Sequence, residues 1–297
     1  MKDRNKKFYK KPSTNHNVEH SVPGNESSFF PIKAIINEII IDEMKSIEDV
    51  RKHRGFVTGV PTGFDMLDNL TTGLKPGNLI VAAARPRMGK TAFALAIALN
   101  AALHAEIPVA LFSFEYSREN LVKRLVSIWP TLVNAANGIF DVPIFINDSA
   151  GISIREIKVE IGKIHPAHNI GLIIIDYLQL MRSDISHNTR DSEISEICRT
   201  LKELARELNL PIVVLSQVSR KADYRDDHRP CLTDLPNSSS IEPEADVVLF
   251  IYRDEVYNES EDNPNREMAE IIVAKHRNGP VGVVKLSFDT RNGCFTI

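Results

Sequence analysis

The sequence predicts an α/β fold in which a mainly parallel central sheet is flanked by helices and extended by antiparallel strands at one side. Three observations predict it. Apolar, strand-like runs recur at residues 79–83, 109–114, 172–175, 212–215 and 247–251. Amphipathic stretches of helical period, notably residues 91–105 and 192–208, separate the earlier runs, and strands that alternate with helices build a parallel sheet covered on both faces. Two later runs, 271–274 and 283–286, follow with shorter connections, the pattern of antiparallel neighbours.

The 297 residues give room for a sizeable core. The chain divides into three parts. Residues 1–31 are rich in Lys, Asn, Ser and Pro, with Lys2, Arg4, Lys6, Lys7, Lys10 and Lys11 clustered early, and read as a disordered basic tail. Within residues 32–57, Ile32, Ile36, Ile40, Met44 and Ile47 recur at intervals of four and three, one face of a helix over residues 32–50. Its apolar stripe docks either on its own domain or on a neighbouring copy. Residues 58–297 form the main domain. A formal net charge of −3 means that any nucleic-acid partner must meet a local positive field, since the surface as a whole is not basic. Cys198, Cys231 and Cys294 lie far apart without metal-type spacing, as expected of buried, unpaired thiols in a reducing cytosol. With neither an apolar leader-like stretch nor a run of membrane-spanning length, the expected location is the cytoplasm.

The run at 79–83 leads into Ala84-Arg85-Pro86-Arg87-Met88-Gly89-Lys90-Thr91, where a helical stretch opens. Strand, tight turn and helix is the context in which backbone N–H groups and a helix N-terminus converge on phosphate oxygens. That chemistry assigns Lys90 to the β and γ phosphates of a nucleoside triphosphate, ATP, and the Thr91 hydroxyl to Mg²⁺. Ala84 stands where the generic phosphate-loop pattern has glycine.

Four further strand ends carry polar groups suited to the same site. Asp176 closes the run at 172–175 and is the second expected Mg²⁺ group, because the carboxyl ends of parallel strands border the ligand crevice. Glu115 closes the run at 109–114 and is the candidate general base that activates water against the γ phosphate. Gln217, after the run at 212–215, can sense that phosphate and transmit its loss to the following loop. Lys275 and Arg277 lie two apart on an extended segment and project the same way, as a pair offered to a phosphate on a neighbour would.

In order and interval as well as in letters, several segments resemble the motor domain of the DnaB-type replicative DNA helicases. They are Thr62-Gly63-Phe64-Asp65, the stretch from Ala82 through Gly89-Lys90-Thr91, Phe112-Ser113-Phe114-Glu115, Asp176-Tyr177-Leu178-Gln179-Leu180, Leu215-Ser216-Gln217, Phe250-Ile251-Tyr252-Arg253, and Lys275 with Arg277-Asn278-Gly279-Pro280. The likeness covers roughly residues 32–297. Alanine is also that family's usual residue at position 84. The resemblance implies a RecA-like P-loop ATPase that works as a homo-hexamer. Such a ring encircles single-stranded DNA and unwinds duplex during replication, with Lys275 and Arg277 reaching across to a neighbour's nucleotide. It identifies the helix at 32–50 with the family's linker helix, which docks on the adjacent subunit.

Three departures from the family pattern qualify what is carried over. Only a short tail precedes the linker helix, so the family's N-terminal collar, which recruits primase, is not expected. The stretch at 128–145 is shorter than the family's, and Arg87 replaces a small residue. In the central DNA-binding loop, Pro236-Asn237-Ser238-Ser239 replaces Arg-Glu-Ser-Gly. The DNA-contacting candidates are then Asn237, Ser238 and Ser239, with Asn188 and Arg190 in a second pore segment; without the loop cation, salt-dependent affinity is expected to be lower. Two rival readings stay open. One is an ATPase that joins or regulates another helicase's ring, with loader and primase unspecified. The other is a RecA-type filament or binding module, against which the 176–180 and 275–280 segments speak.

Overall fold

The structure, a computed structural model, describes residues 57–128, 133–134, 138–139 and 142–295. The basic tail and the helix expected at 32–50 lie outside the described residues. Gly59–Ile297 forms one compact unit.

In chain order the elements are α1 (Asp65–Thr71), β1 (Leu79–Ala84), α2 (Lys90–Leu103), β2 (Val109–Ser113) and α3 (Arg118–Ile128). A hairpin of β3 (Val133–Asn134) and β4 (Gly138–Ile139) follows, then β5 (Ile144–Asn147), α4 (Ile154–His168), β6 (Leu172–Asp176) and α5 (Arg190–Leu208). The chain continues through β7 (Ile212–Gln217), α6 (Ser238–Glu244), β8 (Val247–Tyr252), β9 (Met268–His276), β10 (Gly282–Asp289) and β11 (Cys294–Phe295).

Nine strands form one sheet in the order β11-β10-β9-β8-β1-β7-β6-β2-β5. The six from β8 to β5 are mutually parallel, while β9, β10 and β11 add antiparallel at one edge. Every residue of β1, β2, β6 and β8 is buried, because both faces of the sheet are covered, and this is why these strands read as unbroken apolar runs.

Two cores divide at the sheet. On one side Ile80, Ala82 and Ala84 pack with α2, which is apolar all round and buried from Thr91 to Ala102. Phe64 stacks on Phe93 with ring centroids 5.5 Å apart, and Phe295 meets both edge-on. On the other side Leu79, Val81 and Ala83 pack under the apolar faces of α4 and α5. Both of these helices start at side-chain caps: a reciprocal Ser153–Glu156 capping box, and Thr189 accepting from the Ser192 N–H.

The structure corrects the sequence reading in three places. The edge strand β5 and the two-residue strands β3, β4 and β11 were not anticipated, being too short or too exposed to show a period. Ser238 and Ser239, expected in a loop, form the first turn of α6. Cys198 and Cys294 are buried as expected, but Cys231 is exposed.

Candidate nucleotide site

The carboxyl ends of β1, β2, β6 and β7 meet in register, with Ala84 beside Gln217 and Ser113 beside Asp176. The polar residues that follow these strands therefore share one end of the sheet. A cavity of about 910 Å³ opens there, and Arg87, Lys90, Thr91, Glu115 and Gln217 are among its lining residues.

The phosphate loop turns at Gly89, whose φ of 92° is open to glycine and strained for other residues. A Cβ at that position would also lie 3.0 Å from Phe288 and 3.3 Å from Phe295. Arg87 holds a φ of 69° with a side chain, at a steric cost of about 1 kcal/mol. Beneath the turn, buried Arg253 donates to the Arg87 carbonyl at 3.2 Å, pairs with Glu255 and lies 3.5 Å over the Phe288 ring, while its backbone N–H meets Met88 Sδ at 3.3 Å. Sequence reading missed this buttress, because the phosphate-loop partners of Arg253 lie 165 and 166 residues away in the chain.

At the mouth of α2, Thr91 Oγ1 donates to Asp176 Oδ2 at 2.8 Å. Asp176 is buried, and its Oδ1 has no hydrogen-bond partner. Burial pushes the Asp176 carboxyl above its usual range against the opposing pull of Thr91 and Lys90. An orphaned, desolvated carboxylate oxygen beside a hydroxyl is a donor set that suits a hard divalent cation. Among the described residues no three His, Cys, Asp or Glu side chains cluster as a self-sufficient metal site, so any cation here would lean on water or phosphate oxygens as well. Lys90 Nζ sits 4.4 Å over the Tyr177 ring, and burial lowers its pKa despite the nearby carboxylates of Asp176 and Glu115. A half-desolvated ammonium gains most from an anion brought to it.

Arg85 lines the rim of the cavity, but its guanidinium is committed to protein: Nε and Nη2 clasp the Asp223 carboxylate and Nη1 donates to the Val218 carbonyl at 3.0 Å. Gln179, a residue without an assigned role in the sequence, ties the segment after β6 to the end of β7. Its Nε2 donates to Ser216 Oγ at 2.8 Å and its Oε1 accepts from the Gln217 N–H at 3.3 Å.

Lys275 and Arg277 lie at the other end of the sheet. Val247, at the start of β8, pairs with His276, whereas Ile251 near its end pairs with Ala84. A strand of that length separates them from Lys90 by roughly 15–20 Å. Both donate to the C-terminal turn of α6, Lys275 to the Glu242 carbonyl and Arg277 to that of Pro243 at 2.8 Å. They project the same way, as their spacing predicts, and away from the nucleotide site of their own chain.

The two segments predicted to contact DNA come together. Ser240 Oγ in the first turn of α6 donates to the Asp191 carbonyl in the first turn of α5 at 3.1 Å. Asn188, Arg190 and Ser239 are exposed, with Asn237 and Ser238 half-buried. Arg190 is already engaged, donating to the Gln179 and Met181 carbonyls and pairing with Glu193 at 2.5 Å.

A mainly parallel sheet carrying a phosphate loop after β1 and an acid at the end of β6 defines a RecA-like P-loop nucleotide-binding domain. The model of the DnaB-like helicase C-terminal domain matches residues 59–131 and 127–296, and the chain belongs to that family. It is 41% identical over 283 residues to the replicative DNA helicase DnaC of Bacillus subtilis, covering 89% of this chain and 61% of that protein. Identity to the replicative DNA helicase DnaB of Geobacillus stearothermophilus is 41% over 272 residues, 85% of this chain and 60% of the relative. The chain thus spans about three fifths of the length of these curated relatives. Among solved structures, one isolated ATPase domain superposes with a TM-score of 0.78 at 36% identity, covering 88% of this chain and 97% of that one. A DnaB-like replicative helicase described with its primase interactions gives 0.75 at 35% identity, covering 90% and 71%. No helix among the described residues is long and apolar enough to cross a membrane.

Proposed function

We propose that the chain is the motor of an ATP-dependent DNA helicase, a homo-hexameric ring that translocates on single-stranded DNA and unwinds duplex during replication. The observation that carries this reading is the Thr91–Asp176 pair with its orphaned buried oxygen, set between Lys90 and Glu115 at one end of the sheet. Lys90 binds the β and γ phosphates of ATP, and Thr91 and Asp176 hold Mg²⁺, which neutralises charge on the phosphates. Glu115 orients and deprotonates the attacking water, and Gln217, whose backbone is fixed to Gln179, faces the γ phosphate. Lys275 and Arg277 serve the nucleotide of the adjacent copy, a role supported by their place at the far end of the sheet from Lys90. Asn188, Arg190, Asn237, Ser238 and Ser239 face DNA across the α5–α6 contact, and the primase interactions described for one similar helicase make primase a partner to test.

The commitment of Arg190 to its own chain, with no cation at 236–239, favours one second reading: an ATPase that joins another helicase's ring without unwinding by itself. Purified protein is expected to hydrolyse ATP faster with single-stranded DNA and to open a forked duplex. Hydrolysis without unwinding, together with mixed rings in native mass spectrometry against a full-length relative, would establish the second reading in place of the first.

A further inference from the structure

We infer that Asp223 is a positioning residue that locks the phosphate loop to the segment leading into the α5–α6 contact, so that the two move together. The inference rests on the nucleotide reading above and adds a mechanical link to it. Asp223 lies in the 3₁₀ turn Arg220–Tyr224, 138 residues from Arg85 in the chain. Its carboxylate receives Arg85 Nε at 3.0 and 3.1 Å, Arg85 Nη2 at 2.7 Å and the Tyr257 hydroxyl at 2.6 Å. Burial raises its pKa, but the bonds from Arg85 and Tyr257 outweigh burial and hold it below the usual carboxylate range. The adjacent backbone is tied as well, with the Val218 N–H donating to the Ala84 carbonyl at 2.9 Å. Arg85 opens the phosphate loop, so these bonds join the first residues of that loop to the first residues after β7.

What makes the tie consequential is the shape of the segment beyond it. Residues 219–234 form a loop whose neck is closed, the Ser219 N–H donating to the Asp234 carbonyl at 2.8 Å. Inside the neck, Arg225 grips the fully buried Asp234 carboxylate at 2.5 and 2.7 Å. Its far side is pinned to β9 by a two-pronged pair between Arg229 and Glu270. A loop of this length would ordinarily absorb a displacement in its soft dihedrals. With its neck shut, a shift of Val218 and Asp223 passes straight to Leu235 and on to Asn237, the N-cap residue immediately before α6. Bidentate pairing of a guanidinium with a carboxylate fixes orientation as well as distance, which suits a strut.

Hydrogen exchange with mass spectrometry on the full chain tests this without DNA. In the wild type, ATPγS with Mg²⁺ is expected to slow exchange in the phosphate loop and also in residues 232–242. In Asp223→Asn the phosphate-loop protection should remain, while the response at 232–242 falls roughly tenfold, within the range for couplings between sites. Tyr257→Phe, which keeps the ion pair, should show a smaller loss, and Asp223→Glu a partial return. Melting curves check that each variant folds. An Asp223→Asn protein whose 232–242 response equals the wild type overturns the inference, as does a wild type that protects the phosphate loop alone. Absence of protection in the phosphate loop itself would remove the nucleotide reading and this link with it.

Discussion

The two candidate sites of this domain are built in opposite ways. At the carboxyl ends of β1, β2, β6 and β7 the chemistry is buried, charged and incompletely paired: Asp176 keeps a bare oxygen, Lys90 is desolvated, and Arg253 braces the turn from below. At the first turns of α5 and α6 the candidate DNA groups are exposed or half-buried, mostly uncharged, and the single cation, Arg190, is already bound to its own chain. A site that must stabilise charge in a reaction keeps unsatisfied, preorganised groups. A surface that follows a sliding polyanion needs many weak contacts and little fixed geometry. The difference separates what each set of substitutions should do.

The largest effect is expected at Lys90. Lys90→Ala removes the ammonium that meets the developing phosphate charge, and hydrolysis should fall by about 10³ or more, while DNA retention in the presence of non-hydrolysed nucleotide changes little. A steady-state ATPase assay paired with fluorescence anisotropy separates the two. An unchanged ATPase rate would undo the site.

Next comes Arg277, which lies at the wrong end of its own sheet to touch its own nucleotide. Arg277→Ala alone should lower hydrolysis by roughly 10³, the low end of the range for arginines supplied in trans. Mixing it with Lys90→Ala protein should restore part of the rate, because one copy then supplies the phosphate loop and the other the cation. Absence of any rescue at every mixing ratio would break the assignment across subunits.

On the DNA side the expected change is smaller and of a different kind. Pro236→Arg returns a cation to the loop before α6 and should steepen the dependence of DNA affinity on salt by about 0.7 log units per log unit for each phosphate newly met on a single strand. The ATPase rate without DNA should not move. A titration at several salt concentrations reads the slope directly. A parallel line, higher or lower, would show that this edge does not face the strand.

The same contrast governs what could be read from the sequence. Strand ends were legible because a buried parallel strand writes itself as an apolar run, and the polar residues that close the run mark its carboxyl end; Asp176 and Gln217 are found that way. The bonds that engage Arg85, Asp223 and Arg253 were not, since they join residues 138 and 166 apart in the chain, which no local period encodes. Ser238 and Ser239 read as loop because the resemblance places 236–239 in the family's central DNA-binding loop, whereas they open a seven-residue helix packed on α5 in which Pro243 is the penultimate residue. The hairpin strands of two residues carry too few positions to show any alternation.

The smallest expected effect sharpens the comparison most, because it sits where strain and charge meet. Arg87 occupies a left-handed backbone position and lines the cavity. Arg87→Gly relieves the steric cost of the side chain but gives the unfolded chain more freedom to lose, so stability should change by no more than about 1 kcal/mol, or a few degrees in Tm. If Arg87 serves only the turn, nucleotide affinity should follow stability and stay put. An exposed guanidinium lining a phosphate cavity should instead add an electrostatic contact worth up to about fivefold in ADP or ATP affinity, weakened by salt. The expected outcome is therefore a split, with Tm nearly unchanged and Kd for a fluorescent nucleotide raised at low salt, the gap closing as salt rises. A variant that melts higher and binds as before would show that this side of the loop tolerates the cation without using it, and that Lys90 alone carries the phosphate charge there.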